Sequence, residues 1–369
     1  MRKSSSRILT SLSVMVLLFA TEFFSACSGV IFDTIRDEVK LADASVSGDI
    51  QNIVRYKYNG EECIFASTGE IYYRSVDGDN INKKISFSEF SSPSGFVYSL
   101  AADSTYLYAL SATIEKDDDG YNVITKRTLW RHDGTSWTEL NSEAYNKNQA
   151  SLLFCTNAPQ NENRFAYFRY GTTIYDLAKI DSASNFANGA IGSGTTDYTT
   201  IPTTGARSCT FFNGNVYFSS SYAMTSNETP ENAATYIYRC DGKYVYYRNA
   251  DSDTWTSVNL DCDTIYALAV SDDYLLAGTY SGIIHTKWSS RDSNDLPAVP
   301  SAGNQDFSTN AASTLSSYYE IPTVVVVNPA LTETGGTIFA SSITSSTSAS
   351  LNNVGLWSYF ASEGEWNRE

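Results

Sequence analysis

Between residues 96 and 140 the chain reads FVYSLAAD, STYLYALSA, a polar IEKDDDGYNVITK, RTLWRHDG and TSWTEL. Four short runs of Val, Leu, Tyr and Trp are joined by Asp, Gly and Ser. β-Branched and aromatic runs bounded by such turn residues predict strands, and four in series predict an antiparallel meander. A single meander leaves both faces of its sheet unburied and is marginal in water. It needs similar sheets to pack against, and the pattern recurs along the chain.

The most regular recurrence is an aliphatic followed by Tyr or Trp, then a few residues to an acid-Gly turn. It occurs at Ile71-Tyr72, Leu129-Trp130, Ile237-Tyr238 and Leu356-Trp357, with weaker copies at Ile174-Tyr175 and Ile283-Ile284. Each is read as the third strand of a unit about 57 residues long. VYSLA followed by YLYA near residue 100 returns as IYALA followed by YLLA near residue 268, and closing strands carry Trp137, Trp255 and Trp366. Four strands at a period of roughly 40–60 residues predict an all-β chain folded as a β-propeller. Six four-stranded blades are counted over 49–369. Seven is the alternative, with a degenerate blade in 290–325 or at the N-terminus, and a pair of two-sheet sandwiches comes third.

Variation in length is concentrated in particular connections. In a propeller the second-to-third-strand loops share a face with the connections between blades. The former are tight at Ser67-Thr68-Gly69, Tyr170-Gly171-Thr172 and Tyr280-Ser281-Gly282, and long at 113–126, 223–234 and 343–354. Three long loops about 120° apart on one face are therefore expected, from a two-blade unit copied three times. Loops of variable length on a rigid scaffold are where binding residues gather. The candidates are Asp117, Asp118, Asp119 and Tyr121 in the first loop, and Tyr222, Glu228 and Glu231 in or beside the second.

Composition agrees with sheet and narrows the partners. Aromatics are 14% of the chain, with 26 Tyr and 18 Phe, and the net charge is −16. Such a surface repels phosphate backbones, so nucleic acid is not expected as a partner. The N-terminus is a basic MRKSSSR, an apolar ILTSLSVMVLLFA of signal-peptide length, and TEFFSAC, which places Ser25 and Ala26 directly before Cys27. That arrangement resembles the lipobox of bacterial lipoproteins, with Phe24 where the family prefers Leu. The resemblance implies a signal peptide over 1–26, diacylglycerol on Cys27, a tether over 27–48 and residence in the cell envelope. Ser28, in place of Asp, favours the outer membrane. Apolar residues at 31, 32, 35 and 39 have helical spacing within the tether.

Catalytic signals are sparse. Asp117-Asp118-Asp119-Gly120 lacks the alternating spacing of a calcium loop. His132 and His285 have no Cys or acid at zinc-ligand spacing. There is no G-x-S-x-G elbow. The sialidase Asp box fails at Trp137 and Trp255, where His132 and Ala250 stand in for its Asp. Cys63, Cys155, Cys209, Cys240 and Cys262 sit mostly in apolar runs, with Cys240 and Cys262 a candidate disulfide pair in an exported chain. The inner strands VYSLAA, SLLFC, SCTFF, IYALAV and PTVVVV carry no charge. The expectation is a lipid-anchored, non-enzymatic binding or scaffold propeller without metal or cofactor, engaging a protein or glycan through its long-loop face. The alternatives are a glycan-active enzyme with acids in the central funnel and an outer-membrane assembly subunit.

Overall fold

Inner propeller strands face a channel and two neighbouring sheets at once, so they should read as unbroken apolar runs rather than alternating ones. The computed structural model places SLLFC, SCTFF and IYALAV in that position. It describes residues 45–46, 48–50, 52–78, 85–156, 164–191, 206–212, 214–227, 236–249, 252, 254–260, 262–271, 274–291, 297–300, 305–306, 319–328, 337–344, 354–360 and 365–369. The signal peptide, Cys27, most of the tether, Glu228 and Glu231 lie outside these residues. Ser45 to Glu369 is one compact unit.

The described residues form seven antiparallel sheets, A to G in chain order. A is β1 (Asn52–Tyr58), β2 (Glu61–Ser67), β3 (Ile71–Ser75) and β4 (Ser88–Phe90). B is β5 (Phe96–Ala102), β6 (Leu107–Lys116), β7 (Asn122–His132) and β8 (Trp137–Ala144). C is β9 (Ser151–Cys155), β10 (Ala166–Tyr170) and β11 (Thr173–Asp176), and D is β12 (Ser208–Phe212) and β13 (Asn215–Ser219). E is β14 (Met224–Ser226), β15 (Tyr236–Asp241), β16 (Tyr244–Asn249) and β17 (Thr256–Asn259). F is β18 (Ile265–Val270), β19 (Tyr274–Thr279), β20 (Gly282–Arg291), β21 (Pro297–Pro300) and β22 (Gln305–Asp306). G is β23 (Tyr319–Glu320), β24 (Val324–Asn328), β25 (Thr337–Thr344), β26 (Gly355–Phe360) and β27 (Glu365–Arg368). In G, β23 and β24 pair with the same strand on either side of Pro322. Proline has no N–H to give the ladder, which breaks there.

The sheets succeed one another around an axis. Inner strands β1, β5, β9, β12, β14, β18 and β24 neighbour each other in that order, and β24 returns to β1. Seven apolar cores occupy the seven seams. Phe65, Phe90, Leu100 and Leu107 join A to B. Leu110, Leu129, Leu153 and Phe168 join B to C. Tyr167, Ile174, Phe211 and Phe218 join C to D. Phe212, Tyr217, Met224 and Ile237 join D to E. Tyr238, Val245, Leu268 and Leu275 join E to F. Leu276, Ile283, Ile338 and Trp357 join F to G. Val46, Ile50, Ile64, Val325 and Phe339 close G onto A. Each described sheet packs against a neighbour on both faces, which is the requirement a meander cannot meet alone. The fold is a β-propeller.

Polar locks cross both seams of sheet A. Gly69 and Val97 exchange backbone hydrogen bonds of 3.0 and 2.9 Å between A and B. Between G and A, Arg74 Nη1 reaches Glu369 Oε1 at 3.2 Å, with both side chains buried. The Ser358 hydroxyl donates to the same oxygen.

Four expectations change. The described residues form seven sheets, the number held as the alternative to six blades, because β12 and β13 stand as a sheet of their own. Tyr238 then lies on a second strand, paired with β14, and not on a third. The three residues of β14 are too short to leave a hydrophobic period. The 113–126 stretch is mostly strand, since β6 and β7 continue as a hairpin to a turn at Asp117–Tyr121. Finally, the 223–234 stretch does not lie on the long-loop face as a whole. It begins there at Ala223, passes through β14, and leaves Asn227 and Tyr236 at the other end of the sheet. The threefold arrangement of long loops, and the copied two-blade unit inferred from it, therefore do not hold. None of the five described cysteines is in a disulfide, Cys240 and Cys262 included.

Candidate functional site

The starts of the inner strands surround a cavity of about 600 Å³ on the axis. Its wall includes Ile53 of β1, Leu100 of β5, Leu153 of β9, Cys209 of β12, Met224 of β14, Leu268 of β18 and Val324 of β24. These strands begin on the face that also carries the β2–β3, β6–β7 and β10–β11 turns. The mouth thus opens on the face that sequence reasoning singled out.

Three charged side chains line the cavity among the described residues, and all are arginine: Arg127, Arg169 and Arg207. They come from three successive sheets in a chain of net charge −16. Arg127 stands on β7 between Ala112 and Glu143 in register. Its Nη1 donates to Gln149 O at 3.1 Å and Ser151 Oγ at 2.9 Å, tying B to the start of β9. Its guanidinium lies 4.6 Å from the Tyr145 ring centre and 5.7 Å from that of Tyr98. Arg169 stands on β10. Its Nε donates to Gly171 O at 3.0 Å and its Nη1 to Ala206 O at 3.1 Å, tying C to D. Arg207 directly precedes β12, and its guanidinium covers the Tyr222 ring at 4.5 Å. Tyr222 is 59% exposed and meets Tyr266 edge-on at 6.2 Å.

The electrostatics are one-sided. Burial, then the positive charge of Arg207, holds Arg169 below the ordinary arginine value. None of the three arginines forms an ion pair with a described carboxylate. Two polar atoms of the wall, Arg127 Nε and Tyr98 Oη, are buried without a hydrogen-bond partner. Burial pushes the Tyr98 hydroxyl up to about 12, against the pull of Arg127, so it remains a donor at neutral pH. The described carboxylates stand outside the lining. Glu143 accepts from Tyr170 Oη at 3.4 Å, and Glu320 is hydrogen-bonded to Tyr266. Cys155 and Cys209 also line the cavity, and burial pushes both thiols up, Cys209 further through Cys155. Protonated thiols are poor nucleophiles.

Of the residues expected from sequence, Tyr222 lies in this wall. Asp117, Asp118, Asp119 and Tyr121 form the tip of the β6–β7 hairpin, outside it. Asp117 Oδ1 accepts from the Asp119 and Tyr121 backbone N–H groups at 3.1 and 2.8 Å, so this carboxylate shapes its own turn. Tyr121 is 71% exposed. Among the described residues no group of three or more His, Cys, Asp or Glu side chains is placed to hold a metal ion. His132 is a core residue. Its Nδ1 accepts from Gly134 N at 3.0 Å, and its ring packs between Phe90 and Trp137, each 4.9 Å away.

Sequence reasoning missed the arginines because it searched inner strands for charge. All three lie just off those strands: Arg169 two residues before the Gly171 turn, Arg207 one residue before SCTFF, Arg127 on a third strand. Basic residues flanking these turns in an acidic chain were the available signal.

No family model matches the chain, and no curated protein matches it. Among matching solved structures is YCF48 from Cyanidioschyzon merolae, 13% identical, with 89% of this chain and 86% of that one covered at a TM-score of 0.37. That likeness carries no argument about function. The propeller rests on the order of the sheets and the seven cores between them.

Proposed function

We propose that this protein is an exported lipoprotein, held in the cell envelope by diacylglycerol on Cys27, whose propeller binds a ligand or partner on the channel-mouth face without transforming it. One observation carries the binding half of this reading: an open cavity on the axis whose wall is strand and whose charges, among the described residues, all share one sign. Pockets of this volume with a few convergent polar groups are the usual form of ligand sites. What supports binding over glycan hydrolysis is the chemistry of the wall. Hydrolysis commonly needs two carboxylates flanking the bond, and the described lining contributes arginines, tyrosines and protonated thiols. The envelope half rests on the order of basic, apolar and small-small-Cys segments at the N-terminus. Two acyl chains hold stably where one would not, at about 0.8 kcal/mol per buried methylene.

The test has two arms. Cells expressing the full chain or Cys27→Ala are labelled with a palmitate analogue, and equal label in both would remove the anchor. The lipidated protein is also cross-linked through a photoreactive group placed at Tyr222 or, on the opposite face, at Asp133. Envelope products specific to Tyr222 are expected. The same products from both positions would remove the mouth-face assignment.

A further inference from the structure

The mouth of the channel concentrates positive charge that no described carboxylate pairs with. Arg169 and Arg207 are near enough for the second to depress the first, and Arg127 closes the same wall. Each guanidinium keeps unspent donors. Arg127 uses Nη1 on Gln149 and Ser151 and leaves Nε buried and unpartnered. Arg169 uses Nε and Nη1 on backbone carbonyls of two sheets. Arg207 rests on Tyr222 without a side-chain hydrogen bond to a described residue. Tyr98 Oη adds a second orphaned donor. A buried donor with no acceptor costs about 1–3 kcal/mol, and a small turn of either side chain toward an acceptor in the cavity would relieve that cost.

We infer that this cavity is a site for a small polyvalent oxyanion, a di- or tricarboxylate or a phosphomonoester, held by Arg127, Arg169 and Arg207 with the Tyr98 hydroxyl as an additional donor. The inference deepens the binding reading above and rests on it. Carboxylate and phosphate oxygens share the geometry that a guanidinium fork recognises, and charge-assisted hydrogen bonds are roughly twice as strong as neutral ones. Arg127 and Arg169 are part-buried in the wall, so the charge must enter the cavity to reach them. That favours a small molecule over a flat acidic protein surface. Tyr222 and Tyr266 offer apolar ring surface to whatever carbon skeleton bears the charge. The backbone bonds of Arg127 and Arg169 fix these two forks before any ligand arrives, and this preorganisation lowers the cost of binding.

The experiment is calorimetric titration of the full-length lipidated protein in detergent with citrate, inorganic phosphate, glucose 6-phosphate and neutral glucose, at low and moderate salt. Saturable binding of at least one of the three anions, weakened by salt, is expected, with none for glucose. Whether citrate or the two phosphates bind identifies the headgroup. Arg207→Glu is the decisive variant, since its side chain bridges no sheets and the fold should survive. It should weaken binding by about ten- to a hundredfold. Tyr98→Phe, which deletes only a hydroxyl, should weaken it by a few-fold. No saturable binding of any anion by the wild type, or unchanged affinity in Arg207→Glu, overturns the inference. If Tyr222-specific cross-links persist in that case, the mouth still binds a partner and only the oxyanion is lost. If they vanish too, both readings fall.

Discussion

Ring closure is the least redundant part of a propeller, because one seam must join the two ends of the repeat array. Here that seam holds the Arg74–Glu369 pair, with side chains 0% and 1% exposed. The Arg74 guanidinium also sits among Phe87, Phe339 and Phe360 at 5.9, 5.2 and 5.8 Å. Burial holds Arg74 below its ordinary value, and the Glu369 carboxylate draws it back up. Glu369→Gln keeps the shape and removes the counter-charge from a cation enclosed by rings. Breaking a buried pair from one side costs about 3–5 kcal/mol, a large share of the roughly 5–15 kcal/mol that stabilises a domain. Arg74→Met should cost a similar amount, including about 0.5–2 kcal/mol of cation–ring attraction. With both changes neither charge of the pair is left without the other, so the double variant should be more stable than the sum of the single losses implies, by about 2 kcal/mol or more. Urea unfolding followed by tryptophan fluorescence, with Trp357 and Trp366 as reporters in sheet G, gives the four free energies. Single losses within about 0.5 kcal/mol of wild type, or strict additivity, would show that this pair does not hold the seam.

Other outcomes follow from the same coordinates. A Cβ at Gly278 would meet Ile321 O at 2.5 Å, where β19 crosses the break in the inner strand of G. Gly278→Ala should therefore lower stability by about 1–3 kcal/mol, the range for overpacking, and a neutral result in urea melts would mean the F–G seam yields freely. Burial holds His132 below the ordinary 6.5, with Asp133 opposing. The unfolded chain then binds more protons once pH falls below about 6.5, and stability should decline from there towards the folded value. His132→Phe should flatten that part of the profile, and an identical slope in the variant would place the proton elsewhere. Tyr121→Ser at the exposed hairpin tip should change stability by under about 0.5 kcal/mol, so any larger loss would show that the tip packs against the domain.

Local chemistry settled most of what this chain builds. Aromatic and β-branched runs set the strands, and acid-Gly and Asn-Gly steps set the turns; Asn59 and Gly60, both at positive φ, close the β1–β2 hairpin. Inner strands such as β9, β12 and β18 could be read directly, because a strand enclosed on every side has no use for alternation; β1, with Arg55 and Lys57, is the exception. Tertiary structure decided which strands share a sheet. Strand β15 has the composition of a third strand, yet it pairs with three residues, Met224–Ser226, whose place is secured by neighbours such as Phe211, whose carbonyl accepts from Ser226 Oγ at 3.3 Å. Sheet membership is a choice among edges of similar local preference, and seam packing makes it. Tertiary structure also assembled the cation cluster: Arg127, Arg169 and Arg207 are about 40 residues apart in sequence and become neighbours only because consecutive sheets turn about one axis.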